Sequence, residues 1–415
     1  MNSIKMKNME FNFDTPKDQL LEIIEEKHSQ LEGILQECQF TTWLVFLRET
    51  AANPDPVQNL VIGGDVVWES AFIFHIDNKK FHKIAIIGDF DAEAERNKAL
   101  WTEVIPYTEG ISSILSETLN RFNPSQIAIN YSDDDVVADG LSHGLFRKLS
   151  RYLPKMQERF VSAAPIIQRL RARKTKTEID LVRAACELTE EINNEISEQL
   201  QPEMNEVEIQ QLFHQRMNEH GVLEAWERDA CPAVDAGPDK EMGHVGPTTK
   251  FQIQSGHTLH NDFGVKLKGY CSDIQRMWFF GSREEIPEEL DYAFETVHGA
   301  ITRAAEFIKP GVKGMEVDQI ARDYVIKRGF EEYKHALGHQ VGMKAHDGGV
   351  ILGPLWERYG DTPKGIVEEG NIFTLELYVK TDNYGMVSLE EDIVITNNGC
   401  EFLIPRQEDW ICIET

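Results

Sequence analysis

The chain has no CxxC pair, no glycine-rich phosphate loop, no excess of basic charge and no uninterrupted apolar run long enough to cross a bilayer. Each absence excludes something. Its 42 Lys and Arg against 70 Asp and Glu give a net charge of −28, so nucleic acid and anionic membrane surfaces are poor partners. The apolar stretches are too short for a transmembrane helix. The GGDVVWES stretch has neither Walker nor dinucleotide spacing. Six scattered cysteines, Cys38, Cys186, Cys231, Cys271, Cys400 and Cys412, read as reduced thiols in a chain this large. The opening MNSIKMKNMEFNFDTPK lacks the apolar core of a signal peptide, so a cytoplasmic protein is expected.

What is present suits a two-domain enzyme. The length of 415 residues and an apolar content of 41% allow two buried cores. Residues 17–38 carry helical spacing. Strand-like runs follow in TTWLVFL, NLVIG, VVWES, SAFIFHI, KIAIIGDF and QIAINYS, interleaved with the helical GISSILSETLNRF and LSHGLFRKLSRYL. This alternation predicts an α/β domain over residues 1–165. A long helix near 174–200 opens a second domain, 166–415, in which helices mix with paired strands. The fold class expected for the whole is α+β.

The second domain holds the chemistry. In HNDFGVKLKGYCSDIQRMWFF, Asp262 and Asp273 are symmetric about the point between Leu267 and Lys268. A hairpin centred there would face the two carboxylates at a Cβ separation of about 4.5–5.5 Å. In NIFTLELYVKTDNYGMVSLEEDIVIT, Glu376 and Glu391 are symmetric about the point between Asn383 and Tyr384, and a bulge would shift the partner to Glu390. Facing carboxylates are destabilising unless protonated or bridged by a cation. Between the hairpins, YKHALGHQVGMKAHDGG supplies His335, His339 and His346, and His244 lies upstream. On spacing alone either His335 or His339 could complete a metal shell of carboxylates and one imidazole, a donor set suited to Mn, Co, Zn or Fe.

Four blocks resemble those of the creatinase, prolidase, aminopeptidase P and methionine aminopeptidase superfamily, the pita-bread metallopeptidases. DFGVKLKGYCSDIQR resembles the family's DxGxxxxGYxSDxTR, and HALGHQVGMKAHD its HGxGHxxGxxxHE. GNIFTLE and LEEDIVIT resemble GMxxTxEPG and xRxEDxxxVT, in the family's order. The resemblance implies a pita-bread catalytic domain behind a creatinase-like N-terminal domain. It implies two divalent metal ions, manganese first among them, with Co, Zn or Fe as alternatives. Asp262 would chelate one ion, Asp273 and Glu391 would bridge both, and His339 and Glu376 would complete the ligand set of the second ion. His335 and His346 would contact substrate, with His244 near a further substrate-binding position and Glu376 shuttling a proton. A hydroxide made from water between the ions would attack the peptide carbonyl. The expected substrate is a small peptide with proline in second position, cut by an Xaa-Pro aminopeptidase or dipeptidase that assembles as a homodimer. Two departures stand out: no Pro-Gly follows Glu376, and Leu389 occupies the place of the family Arg two residues before Glu391. The rival readings are a metal-free creatinase-like hydrolase and a non-catalytic peptide-binding module on the same scaffold.

Overall fold

The protein, seen in a computed structural model, is described over residues 14–78, 80–239 and 246–414. It divides into two compact units, one of residues 16–175 and the other of residues 14–15 and 176–414.

The first unit is an α/β layer. Its sheet comprises β1 (Thr42–Leu47), β2 (Ser70–Asp77), β3 (Lys80–Gly88), β4 (Glu103–Tyr107), β5 (Ile127–Ile129) and β6 (Phe160–Ser162), in the order β4-β3-β2-β1-β5-β6. Leu44, Phe46, Ile73, Ile84 and Ile86 meet Leu115, Leu119, Leu145 and Leu149 of two helices, Ser112–Phe122 and His143–Tyr152, in one core. NLVIG and VVWES are not strands. The first forms the helical turn Gln58–Val61 and the second is a bend that leaves Val67 and Trp68 exposed. The division between units falls ten residues beyond 165, because helix Ala164–Ala172 is anchored to the first unit. The fully buried Lys27 ammonium donates to Leu170 O at 2.6 Å and Arg173 O at 2.9 Å, satisfying carbonyls at the helix end.

The second unit is built on a seven-stranded sheet. β7 (Leu223–Glu224), β10 (Val265–Leu267) and β11 (Tyr270–Cys271) form a separate three-stranded sheet in the order β11-β10-β7, while the short β8 (Ala233–Ala236) belongs to the larger sheet. The long strands of the larger sheet are β9 (Thr258–Phe263), β12 (Ile274–Phe280), β13 (Ile372–Lys380) and β14 (Met386–Ile395). β15 (Cys400–Phe402) and β16 (Ile411–Ile413) close the chain. The path is β13-β14-β12-β9-β8, with β15 on β14 and β16 on β12. Helices Glu288–Phe307 and Gly314–Lys327 share a core with β13 and β14, whereas helices Lys176–Ser197 and Glu206–His220 pack with Phe263, Trp278 and Phe280.

Turn geometry sets both registers, and each differs from the sequence expectation. β10 and β11 pair Leu267 with Tyr270, so the turn is Lys268–Gly269, with φ of +49° and +84°. That two-residue turn with both φ positive matches the twist of the flanking strands. It centres the hairpin one residue later than expected, so Asp262 pairs with Gln275 and not with Asp273. In the second hairpin Lys380 pairs with Met386, enclosing the odd-numbered loop 381–385, which Thr381 closes through its N–H and hydroxyl on Gly385 O. Glu376 therefore lies opposite Glu390.

Candidate metal centre

On β13 and β14, Leu375, Leu377, Val379, Val387, Leu389 and Ile393 face the helix-covered core. Side chains alternate across a strand, so Glu376 and Glu390 point to the opposite face. Glu391 does not join them, which corrects its expected role as a bridging ligand. Its carboxylate lies 3.2 Å from the guanidinium of the fully buried Arg276, and its Oε1 accepts from the Gln407 N–H at 3.0 Å. Asp273 lies in the break between β11 and β12, its backbone N–H donating to Asp392 Oδ2 at 3.0 Å.

The histidine segment runs beside β13 like an added strand. Glu376 N–H donates to Leu337 O at 2.7 Å and Thr374 N–H to His339 O at 3.0 Å. Gly338 makes this approach possible, since a Cβ there would lie 2.0 Å from Thr374 O. The result is that His339 Nε2 stands 3.7 Å from Asp273 Oδ2, 3.7 Å from Glu376 Oε1 and 4.0 Å from Glu390 Oε1. Asp273, His339 and Glu390 form a group whose ligand atoms lie within 4.8 Å of one another. His346 packs edge-on against His339 with ring centroids 4.2 Å apart. His335 stacks on Tyr378 at 5.4 Å and lies 4.0 Å from Glu376 Oε2. His244 lies outside the described residues.

The electrostatics are those of a site short of positive charge. Burial, then the charges of Glu390 and Asp262, push Asp273 well above the usual carboxylate range. Burial, then Glu376 and Asp262, do the same to Glu390. Burial, then Asp262, push Glu376 up to about 8. Burial, then neighbouring His346, lower His339 to about 3, and burial lowers His335 to about 4. Both imidazoles are therefore neutral at pH 7. His339 Nδ1 faces Gln340 O at 3.5 Å, which leaves the Nε2 lone pair directed at carboxylates.

A lone pair among carboxylates is repulsive unless a proton or a cation lies between them. Gaps of 3.7–4.0 Å are too long for hydrogen bonds. They are the span expected of two donors each about 2.1 Å from a shared ion. Glu390 Oε1 is also buried with no hydrogen-bond partner among the described residues. The donor set thus fits a divalent metal.

Residues 180–397 match the pattern of metallopeptidase family M24, over half of the chain. The chain belongs to that family. M24 relatives include the Xaa-Pro dipeptidase of Pyrococcus furiosus, 28% identical over 247 residues covering 59% of this chain and 67% of that one. The Xaa-Pro dipeptidase of Pyrococcus horikoshii is 28% identical over 253 residues, covering 61% and 68%. Among solved structures, the X-Pro aminopeptidase from Thermotoga maritima aligns with TM-score 0.68 at 22% identity, over 92% of this chain and 100% of that one. The prolidase from Pyrococcus horikoshii aligns with TM-score 0.66 at 21% identity, over 93% and 100%. At that identity the likeness speaks for the fold, an α+β architecture of two units. M24 membership also makes this a divalent-metal peptidase.

The corrected register moves one departure from the M24 blocks. Two residues before Glu390 stands Ser388, not Leu389, in the place of the family Arg. The LEEDIVIT block contains two adjacent glutamates, and matching its one Glu-Asp pair, Glu391-Asp392, to the family's ED selects the residue that faces Arg276.

Proposed function

We propose that this chain is a peptidase acting on Xaa-Pro bonds, with a centre held by Asp262, Asp273, His339, Glu376 and Glu390. The observation that carries this reading is the neutral His339 imidazole set 3.7–4.0 Å from three carboxylates within an M24 sequence. Two ions suit so many carboxylates, manganese first among them. Divalent metal in such a site supplies a lowered water pKa and a Lewis acid for the scissile carbonyl.

The chain's own groups take the other roles. Glu376 is the proton carrier, because its carboxyl rests between Asp262's charge and the His335 ring. Neutral His335 donates its Nδ1–H to Ala336 O at 2.7 Å, which leaves Nε2 as an acceptor. It therefore receives a substrate N–H or hydroxyl instead of donating to an oxyanion. The exposed His346 is the group left to contact the developing negative charge. Proline in second position rests on the M24 dipeptidase relatives.

The test is hydrolysis of Ala-Pro and a longer Xaa-Pro peptide against Ala-Ala, with chelator and with added Mn²⁺. Cleavage of the proline peptides alone, abolished by chelation, is expected. Turnover of creatine with none of the peptides would favour the creatinase-like reading. A metal-loaded sample that binds peptides and cleaves none would favour the binding module. Light scattering on the same sample checks the expected homodimer.

A further inference from the structure

Gln275 occupies the place where the family block DxGxxxxGYxSDxTR carries Thr, and Ser388 the place of its Arg, once Glu390 is taken as the Glu of the later block. The two replacements touch. Ser388 Oγ hydrogen-bonds Gln275 Oε1, and both side chains are buried. Gln275 Nε2 lies 2.8 Å from Glu390 Oε2 and 3.4 Å from Glu376 Oε2. On its other side, Gln275 Oε1 lies 3.0 Å from His260 Nε2, and His260 Nδ1 lies 2.9 Å from Asp235 Oδ2. An unbroken polar chain thus crosses β8, β9, β12 and β14, from Asp235 to Glu390.

Donor and acceptor types leave one workable orientation for the Gln275 amide. Carboxylates that ligate a metal are ionised and only accept, so the amide NH₂ must face Glu390 and Glu376. A flipped amide would set its oxygen 2.8 Å from a carboxylate oxygen. The Ser388 hydroxyl and His260 N–H then both donate to Oε1 and lock the orientation. The consequence lies at Glu390. Its Oε2 is held by the amide, while Oε1, 4.0 Å from His339 Nε2, has no hydrogen-bond partner among the described residues.

Resting on the metallopeptidase reading above, we propose that Gln275 is a positioning residue of this centre. Held by Ser388 and His260, it pins Glu390 Oε2 and so directs Glu390 Oε1 to the metal, in place of the family's Thr and Arg.

The test compares wild type with Gln275→Met, which keeps length and bulk but offers no amide, and with Ser388→Ala, which frees one side of Oε1. Three quantities are measured on protein stripped of metal: Mn²⁺ affinity by titration calorimetry, the visible spectrum after Co²⁺ loading, and the metal-free melting midpoint. Gln275→Met should weaken Mn²⁺ binding by about 10–100-fold, the usual effect of losing a partner behind a ligand. It should also shift the Co²⁺ bands with little change in the metal-free melting midpoint. Ser388→Ala should move affinity and spectrum in the same direction by less. Wild-type affinity and an unchanged spectrum in Gln275→Met would overturn the role. If that variant does not fold, unchanged affinity and spectrum in Ser388→Ala overturn it instead. A wild-type protein that binds no divalent cation would fail the metallopeptidase reading, a result distinct from either.

Discussion

Adjacent glutamates at 390 and 391 have opposite surroundings, and substitution should separate them. Glu390→Gln removes a donor from the cluster around His339. It should lower Mn²⁺ affinity by more than the roughly 10–100-fold that a supporting residue costs, with the fold intact. Glu391→Gln leaves the cluster alone but strips Arg276 of its fully buried partner. Breaking a buried pair by removing one member costs about 3 kcal/mol or more. That variant should melt early while its folded fraction binds Mn²⁺ normally; equal loss of metal in both would return Glu391 to the centre. The histidines divide similarly. His339→Ala should lower metal content, because Nε2 faces three carboxylates. His346→Ala should keep metal and reduce turnover, as checked by metal analysis beside a peptide assay.

Two short connections decide which side chains meet at the level of the hairpins. The Lys268–Gly269 turn moves the partner of Asp262 by two positions, from 273 to 275, and the 381–385 loop moves that of Glu376 by one, from 391 to 390, a step that exchanges the faces of a strand. The histidine segment depends on a third device, its close approach to β13 through Gly338. Gly338→Ala would force its methyl into Thr374 O and push His339 away from Glu376. Overpacking of this kind costs about 1–3 kcal/mol. Both the melting midpoint and Mn²⁺ affinity should fall, while the neighbouring Gly349→Ala, whose Cβ meets only the Gln340 amide, should spare the affinity.

Across the whole molecule, protons and metal compete for one set of carboxylates. Glu376 is raised to about 8, and Asp273 and Glu390 are raised well above the usual range. In metal-free protein the folded state holds protons that the unfolded chain has released, so stability falls as pH rises toward the folded values. Below the ordinary histidine value of 6.5 the lowered His339 and His335 oppose this, because the unfolded chain then binds their protons. Between about pH 6.5 and 8 only the falling trend acts. Chelated protein should therefore melt progressively lower across that window. With excess Mn²⁺ the carboxylates are already deprotonated in the folded state and metal binding strengthens with pH, so the midpoint should hold or rise. Parallel pH-dependent profiles with and without Mn²⁺ would falsify a metal centre at these residues.

The sequence alone says which kinds of residue lie where along the chain. Acidic, histidine-rich and glycine-marked blocks identify the M24 family, because metal chemistry requires those donors and close backbone approach requires those glycines. It also determined the two-unit α+β layout, since the change in pattern near residue 165 follows from separate cores. Which donors share a face is set by strand pairing in the folded chain. Asp262 opposite Gln275, and Glu390 instead of Glu391 opposite Glu376, follow from the residue count and left-handed backbone of two turns. The division at 175 follows from a buried lysine on helix ends 143 and 146 residues away in sequence. Composition and periodicity are local and tolerate a slip of one residue, whereas strand pairing does not. The least legible parts of the site, Gln275 with Ser388 and His260, are therefore those defined by contact across four strands.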